Sequence, residues 1–207
     1  HFLCRFNSNS NLLVAIRLLI QPEIDVNEKD NDGENALHYL CKNKSNSNLI
    51  DAIRLLVQLG IDVNAKNDHG WNALHFLCKN KSNSNLIDAI RLLIQLGVDV
   101  NEKDNDGWNA LHFLCEFNSN SNLLDAIRLL IQLGIDANAK NKSRWNALHI
   151  LCIYNANSNL IDAIQLFIQL GIPVVSDGND ARYFLRSYNR IKNTDEILKL
   201  LDEAALV

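Results

Sequence analysis

The chain has 207 residues, 47% hydrophobic and 21% charged, a globular composition long enough for one or two domains or one extended array. A net charge of −4 does not suit a nucleic-acid binder, which is usually basic, and no apolar run reaches the roughly 18–20 residues of a membrane span. The start, HFLCRFNSNS, lacks the charged-then-apolar order of a signal peptide, and the absence of methionine leads us to expect a fragment of a longer chain.

From the N-terminus onward the chain repeats itself. NALH occurs at 35–38, 72–75, 109–112 and 146–149, always 37 apart, and His1 to Cys4 fall 37 before His38 to Cys41, so the first unit is incomplete. All five cysteines (4, 41, 78, 115, 152) and five of the six histidines (1, 38, 75, 112, 149) lie on this period. A catalytic or metal site is normally built once, so a residue present in every unit reads as packing. The opening unit departs from the others in IQPEID, where Pro22 and Glu23 replace Leu and Gly, and in Val14, where later units carry Asp. This lack of a polar cap predicts further repeats ahead of it.

The unit beginning at Asn72 shows the internal plan. Asn72 can cap a short helix from Ala73 to about Lys79 by accepting from first-turn amides. The polar NKSNSN that follows competes with helix hydrogen bonds. A second helix runs through LIDAIRLLIQLG, with Asp88 near its positive end and Asp88, Arg91 and Gln95 forming one polar stripe. Gly97 suits the left-handed position after a helix. VDVNEKDNDGW then reads as an extended segment and a tight turn, with Gly107 free to take the turn geometry. One such helix pair cannot cover its own apolar faces, so neighbouring units must stack.

Toward the C-terminus the unit decays. GIPVVSDGND is three residues shorter than GIDANAKNKSRWN, and Ala181, Tyr183 and Leu185 take the places of Ala147, His149 and Leu151 at a spacing of 34. Arg182 and Arg186 replace Leu148 and Cys152, as suits a terminal pair facing water.

These residues resemble the ankyrin repeat family. NALH is similar to that family's T-P-L-H, and LGVDVNEKDNDGW to its G-A-D-V-N-A-K-D-x-x-G-x. The resemblance spans essentially the whole chain, with a unit of 37 residues where the family's is usually 33, Asn for Thr, Ala for Pro, and Cys for a small alanine packed between helices. It implies an all-α, ankyrin-type α-solenoid of stacked helix-turn-helix repeats with β-hairpin fingers. The single domain 1–207 then divides into a partial first repeat (1–34), repeats at 35–71, 72–108, 109–145 and 146–179, and a C-terminal capping repeat at 180–207. It further implies that the NALH histidine bonds the turn backbone, and that fingers and first helices line a concave groove for a partner protein. The asparaginyl hydroxylation known in the family would have its context at Asn27, Asn64 and Asn101.

The spaced His-x-x-Cys pairs offer sharper readings, which we set aside. Stacked helices sit about 8–10 Å apart, too far for a disulfide between equivalent cysteines. Zinc would need ligands converging from two units, and a nucleophile needs one cleft and one orienting group. We expect core histidines and reduced cysteines, no metal and no cofactor. Reduced thiols point to a reducing compartment, cytoplasmic or nuclear, so the N-x-Ser sequons at Asn43, Asn80 and Asn141 are discounted as glycan acceptors.

Positions that break the repeat carry the functional reading. Glu34, Trp71, Trp108 and Trp145 precede NALH at the finger base, either as a ladder stiffening the fingers or as a binding strip. After the cysteines come Lys42-Asn43, Lys79-Asn80, Glu116-Phe117 and Ile153-Tyr154, expected along the groove. The fingers run from acidic EKDNDGE (28–34) to basic KNKSRW (140–145), with Arg144 where the others have Gly. Either this is surface drift, or it fits an amphipathic segment with acid near the third and fourth fingers. The SNSN loops read as solvated linkers, with phosphorylation as the alternative. We expect a monomeric, non-enzymatic protein-binding module whose partner-binding residues are Glu34, Trp71, Lys79, Trp108, Glu116, Phe117, Trp145 and Tyr154, with no nucleic acid or membrane partner. The alternatives are a regulatory or scaffold segment of a larger enzyme, channel or ligase adaptor, and a structural spacer.

Overall fold

The computed structural model describes residues 4, 12–19, 24–43, 47–80, 84–117, 122–155, 158–189, 191 and 194–206. Pro22, Glu23, residues 1–3 and 5–11 of the partial first repeat and much of each SNSN loop lie outside these residues, and with them the readings placed there. Helix α1 (Leu12–Leu19) is followed by the pairs α2 (Ala36–Lys42) with α3 (Leu49–Gln58), α4 (Ala73–Lys79) with α5 (Leu86–Gln95), α6 (Ala110–Phe117) with α7 (Leu123–Gln132), and α8 (Ala147–Tyr154) with α9 (Leu160–Gln169). A small hairpin, β1 (Val175–Ser176) and β2 (Asn179–Asp180), then precedes α10 (Ala181–Tyr188) and α11 (Asp195–Ala204). This is the stacked all-α solenoid that the period predicts.

The second helix of each unit is amphipathic. In α5, Leu86, Ala89, Ile90, Leu92 and Leu93 are buried, while Asp88, Arg91 and Gln95 are exposed. It stops in the expected way. Gly97 takes φ +92°, its amide donates to Ile94 O at 3.0 Å, and the Val98 amide donates to Leu93 O at 3.1 Å, closing the last carbonyls in a Schellman arrangement. The first helices are short and apolar nearly all round; α4 buries every residue from Ala73 to Cys78. With small Ala and Cys at their contacts, they pack on one another more extensively than the second helices do.

The stack is not closed at α1. Leu18 is 72% exposed, whereas its counterparts Leu55, Leu92, Leu129 and Leu166 are between 2% and 8% exposed. Those four belong to units that have another unit before them. Val14, exposed beside Leu18, extends the same apolar face.

The fingers reverse the chain as the expected hairpins do, but only the last has paired strands among the described residues. Those strands are β1 and β2, antiparallel with Val175 opposite Asp180. The four longer fingers are closed by backbone bonds at their bases, Asp30 N to Glu34 O, Asn67 N to Trp71 O, Asp104 N to Trp108 O and Asn141 N to Trp145 O at 2.9–3.0 Å, and a side chain completes each turn. Asp104 Oδ1, for example, accepts from the amides of Asp106 (2.9 Å) and Trp108 (2.7 Å), and Asp30, Asn67 and Asn141 do the same in their fingers. Such Asx turns take up the donors that a strand partner would use. The tips then bond sideways, from Asp68 N to Asp32 O, Asn105 N to His69 O and Lys142 N to Asp106 O, at 2.9–3.1 Å. In the shortened last finger, Asp177 and Gly178 both have positive φ (51° and 80°), the condition for a two-residue hairpin turn.

Arg144 sits at φ +64°, in the place that Gly33, Gly70 and Gly107 fill elsewhere. A Cβ on Gly107 would lie 3.1 Å from Asn141 Cα and 3.2 Å from Lys142 N of the next finger. The finger following Arg144 is the shortened one, and the Arg144 side chain is exposed, so backbone strain is what the arginine costs. Arg144→Gly is expected to raise stability by about 1 kcal/mol, and Gly107→Ala to lower it. Urea midpoints of the two variants test this pair, and a fall for Arg144→Gly counts against it.

Candidate functional site

Each NALH motif builds one clamp. Asn72 Oδ1 accepts from the His75 amide (3.1 Å), and His75 Nδ1 accepts from the Asn72 amide (3.0 Å). Its Nε2 lies 3.2 Å from Glu102 O, in the next finger. His38 reaches Ala65 O (2.9 Å), His112 reaches Trp145 O (3.1 Å) and His149 reaches Asn179 O (3.2 Å). An Nδ1 that accepts fixes the neutral tautomer with hydrogen on Nε2, which donates to the carbonyl. Each clamp therefore ties a helix start to the finger that ends its own repeat and leaves no ring lone pair for a metal. Burial pushes the His38 and His112 pKa values down to about 4 and lowers those of His75 and His149.

All five cysteines are free and buried. Burial pushes the Cys4 thiol up to about 11 and Cys41 to about 12, and raises Cys78, Cys115 and Cys152 well above the usual thiol value. A thiolate is the reactive form, so alkylation is expected to be slow in the folded protein and fast in denaturant. Timed thiol labelling checks this, and fast labelling of the native protein would contradict it.

The residues expected to bind a partner fall into distinct settings. Glu34 is buried and paired with Lys42 at 3.0 Å. Trp71, half-buried, donates from Nε1 to Asp104 Oδ2 at 2.9 Å and meets Phe76 and Phe113 edge-on at 5.3 and 5.0 Å. Lys79 lies over the Trp71 ring at 4.1 Å and the Phe117 ring at 4.9 Å. Trp108 packs on His112 and Phe113, and Phe117 stacks on Phe113 at 6.4 Å. Glu116, half-buried, opposes the lowering of the Lys79 pKa by burial and helps to raise that of Tyr154. Tyr154 is 48% exposed. Trp71, Lys79, Glu116, Phe117 and Tyr154 thus form one connected strip, with Trp108 beside it. Trp145 stands apart, bonded from Nε1 to Asn179 Oδ1 at 3.2 Å and edge-on to Phe184 at 5.1 Å.

Two features were missed in the sequence. Tyr183 and Tyr188 are more than half exposed and extend the aromatic strip; Tyr188 shares the register of Tyr154 at the spacing of 34 already noted. Asn80 is also not a groove residue. It is buried, and its Nδ2 donates to Cys41 O (3.3 Å) and Asn43 O (3.1 Å) of the preceding unit. Asn43, Asn155 and Asn189 bond back in the same way. Where an aromatic residue follows, as Tyr154 and Tyr188 do, the first helix runs to eight residues rather than seven and this asparagine moves on by one.

Stacked helix pairs joined by short fingers, repeated along the chain, define a helical repeat solenoid. The family described as ankyrin repeats (3 copies) matches residues 1–104 and again 82–177, and the chain belongs to the ankyrin repeat family. As a class, ankyrin repeats are protein–protein interaction modules. Comparison with curated proteins gives no match. No described helix is long and apolar enough to cross a membrane, and no cluster of three or more His, Cys, Asp or Glu among the described residues could hold a metal ion.

Proposed function

We propose that this chain is a monomeric, non-enzymatic module that binds a partner protein through the strip running from Trp71 and Lys79, past Trp108, Glu116 and Phe117, to Tyr154. Glu34 and Trp145 shape its two ends through Lys42 and Asn179. One observation carries the reading. The core side chains largely repeat from unit to unit, whereas the ends of the first helices change along the stack, from Lys42-Asn43 and Lys79-Asn80 to Glu116-Phe117 and Ile153-Tyr154, and leave aromatic and charged atoms open, Tyr154 most of all. The tryptophans serve both alternatives considered above: their indoles stiffen the fingers, and their half-exposed rings supply the rigid apolar area that dominates interfaces. The outer stripe of Asp88, Arg91 and Gln95 recurs too uniformly to encode one partner, and exposed charges there contribute only about 0–1 kcal/mol.

The test is affinity capture of a partner followed by titration of the purified pair. Trp108→Ala and Tyr154→Ala are expected to weaken binding about tenfold or more with the helical circular dichroism retained, and Arg91→Ala to change it little. Loss of binding in Arg91→Ala with both aromatic variants unaffected would move the site to the opposite face.

A further inference from the structure

One register position of the first helices meets two different environments. Lys42 ends α2, and the Glu34 carboxylate lies 3.0 Å from its ammonium. One unit on, Lys79 ends α4 at the same register, and Trp71 stands where Glu34 would be. The Lys79 ammonium lies between two rings, 4.1 Å from the centre of Trp71 and 4.9 Å from that of Phe117. Ring faces attract a cation but do not accept its hydrogen bonds as a carboxylate does. Among the described residues, Lys79 forms no ion pair. Its ammonium is thus held by two half-buried rings with no carboxylate in contact, Glu116 and Glu34 acting on it only at a distance.

Resting on the protein-binding reading above, we propose that Lys79, framed by Trp71 and Phe117, receives a carboxylate from the partner. The partner segment carries an Asp or Glu there, with neighbouring apolar side chains lying along Phe117 and Tyr154. The Glu34–Lys42 pair supplies the pattern within the same molecule. The two rings hold the ammonium in place before binding, so little side-chain freedom is lost when the carboxylate arrives. Burial lowers the pKa of Lys79, Glu116 and Glu34 oppose that shift, and a carboxylate in contact adds to their preference for the charged form.

The experiment uses random dodecapeptides displayed on phage and panned on the immobilised chain. Enriched peptides are then synthesised and titrated against wild type, Lys79→Met, Lys79→Glu and Tyr154→Ala. Lys79→Met keeps the apolar stem and removes the charge. The expected winners place Asp or Glu beside apolar residues. They lose about tenfold or more in affinity with Lys79→Met, lose as much when the acid becomes its amide, and lose no more when both changes are combined. Lys79→Glu is expected to prefer the same peptide with lysine in place of the acid. Winners without an acidic residue, winners that bind Lys79→Met undiminished, or a library with no enrichment would each overturn the carboxylate site. If Tyr154→Ala still weakens such winners, the protein-binding face stands without the carboxylate site. If neither variant affects them, the face itself is misplaced.

Discussion

Lowering the pH from 7 to about 4 is expected to cost this protein most of its stability. His38 and His112 have folded pKa values of about 4 against an ordinary value near 6.5, and those of His75 and His149 are lowered as well. Between pH 6.5 and 4 the unfolded chain takes up protons that the folded chain refuses, so stability falls as pH falls through that window. Above it all four clamps are neutral and intact; below about 4 both states are protonated at His38 and His112 and the loss levels off. A difference of about 2.5 pKa units amounts to about 3 kcal/mol for each of these two residues, against a typical domain stability of about 5–15 kcal/mol. The structural cause is specific, since protonating Nδ1 abolishes the acceptor that holds the cap amide. Urea melts at several pH values read by circular dichroism provide the check. A midpoint that stays flat from pH 6.5 to 4.5 would show that the histidines are not held neutral, and His112→Gln should flatten the slope in part.

The residues of these clamps were legible in the sequence because they recur. Asn72, His75, Gly97 and Gly107 each stand at one register in several units, and each carries a local reason in its own chemistry: a cap, a buried ring, a left-handed backbone. What the sequence hid lies between units. Nothing local distinguishes Asn80, which bonds back to Cys41, from a solvated loop asparagine. Nor does Trp71 announce that its indole meets Asp104, or that its face lies under Lys79. Spacings of 33 and 39 residues separate the hydrogen-bonded partners, and only the stacking distance brings them together, while Trp71 and Lys79 are near in the chain but meet only through the turn of the backbone between them. The missing strands of the long fingers have the same origin, because Asp30, Asn67, Asp104 and Asn141 spend their side chains on the turn and leave the tips to bond sideways. Of the eight expected binding residues, five fall on one strip with Trp108 beside it. Glu34 is drawn into an ion pair that only the structure reveals, and Trp145 belongs to the contact with α10.

Deleting the chain from Asp180 onward is expected to make the protein associate. The helices α10 and α11 lie against α8 and α9, and they bury Ala181, Phe184, Leu185, Ile197 and Leu201 in the common core. Fully burying each large apolar side chain contributes roughly 1.5–3 kcal/mol, so the deletion forfeits several such contributions at once and uncovers the apolar surfaces of α8 and α9 that faced them. Those surfaces scarcely have polar residues of their own to meet water, since α8 buries every residue from Ala147 to Cys152 and only His149 among them is polar. The removed pair does. Asp195, Glu196, Lys199, Asp202 and Glu203 are exposed on α11, and Arg182 bonds both Asp180 (2.7 Å) and Asp202 (2.9 Å) across the pair. In an array stabilised by nearest-neighbour contacts, an uncapped end is the place where chains meet. Light scattering during size-exclusion chromatography should therefore show oligomers of the 1–179 chain, together with a lower melting temperature. A truncated chain that stays monomeric and melts at the original temperature would mean that α10 and α11 are passengers, and that the stack ends at α9.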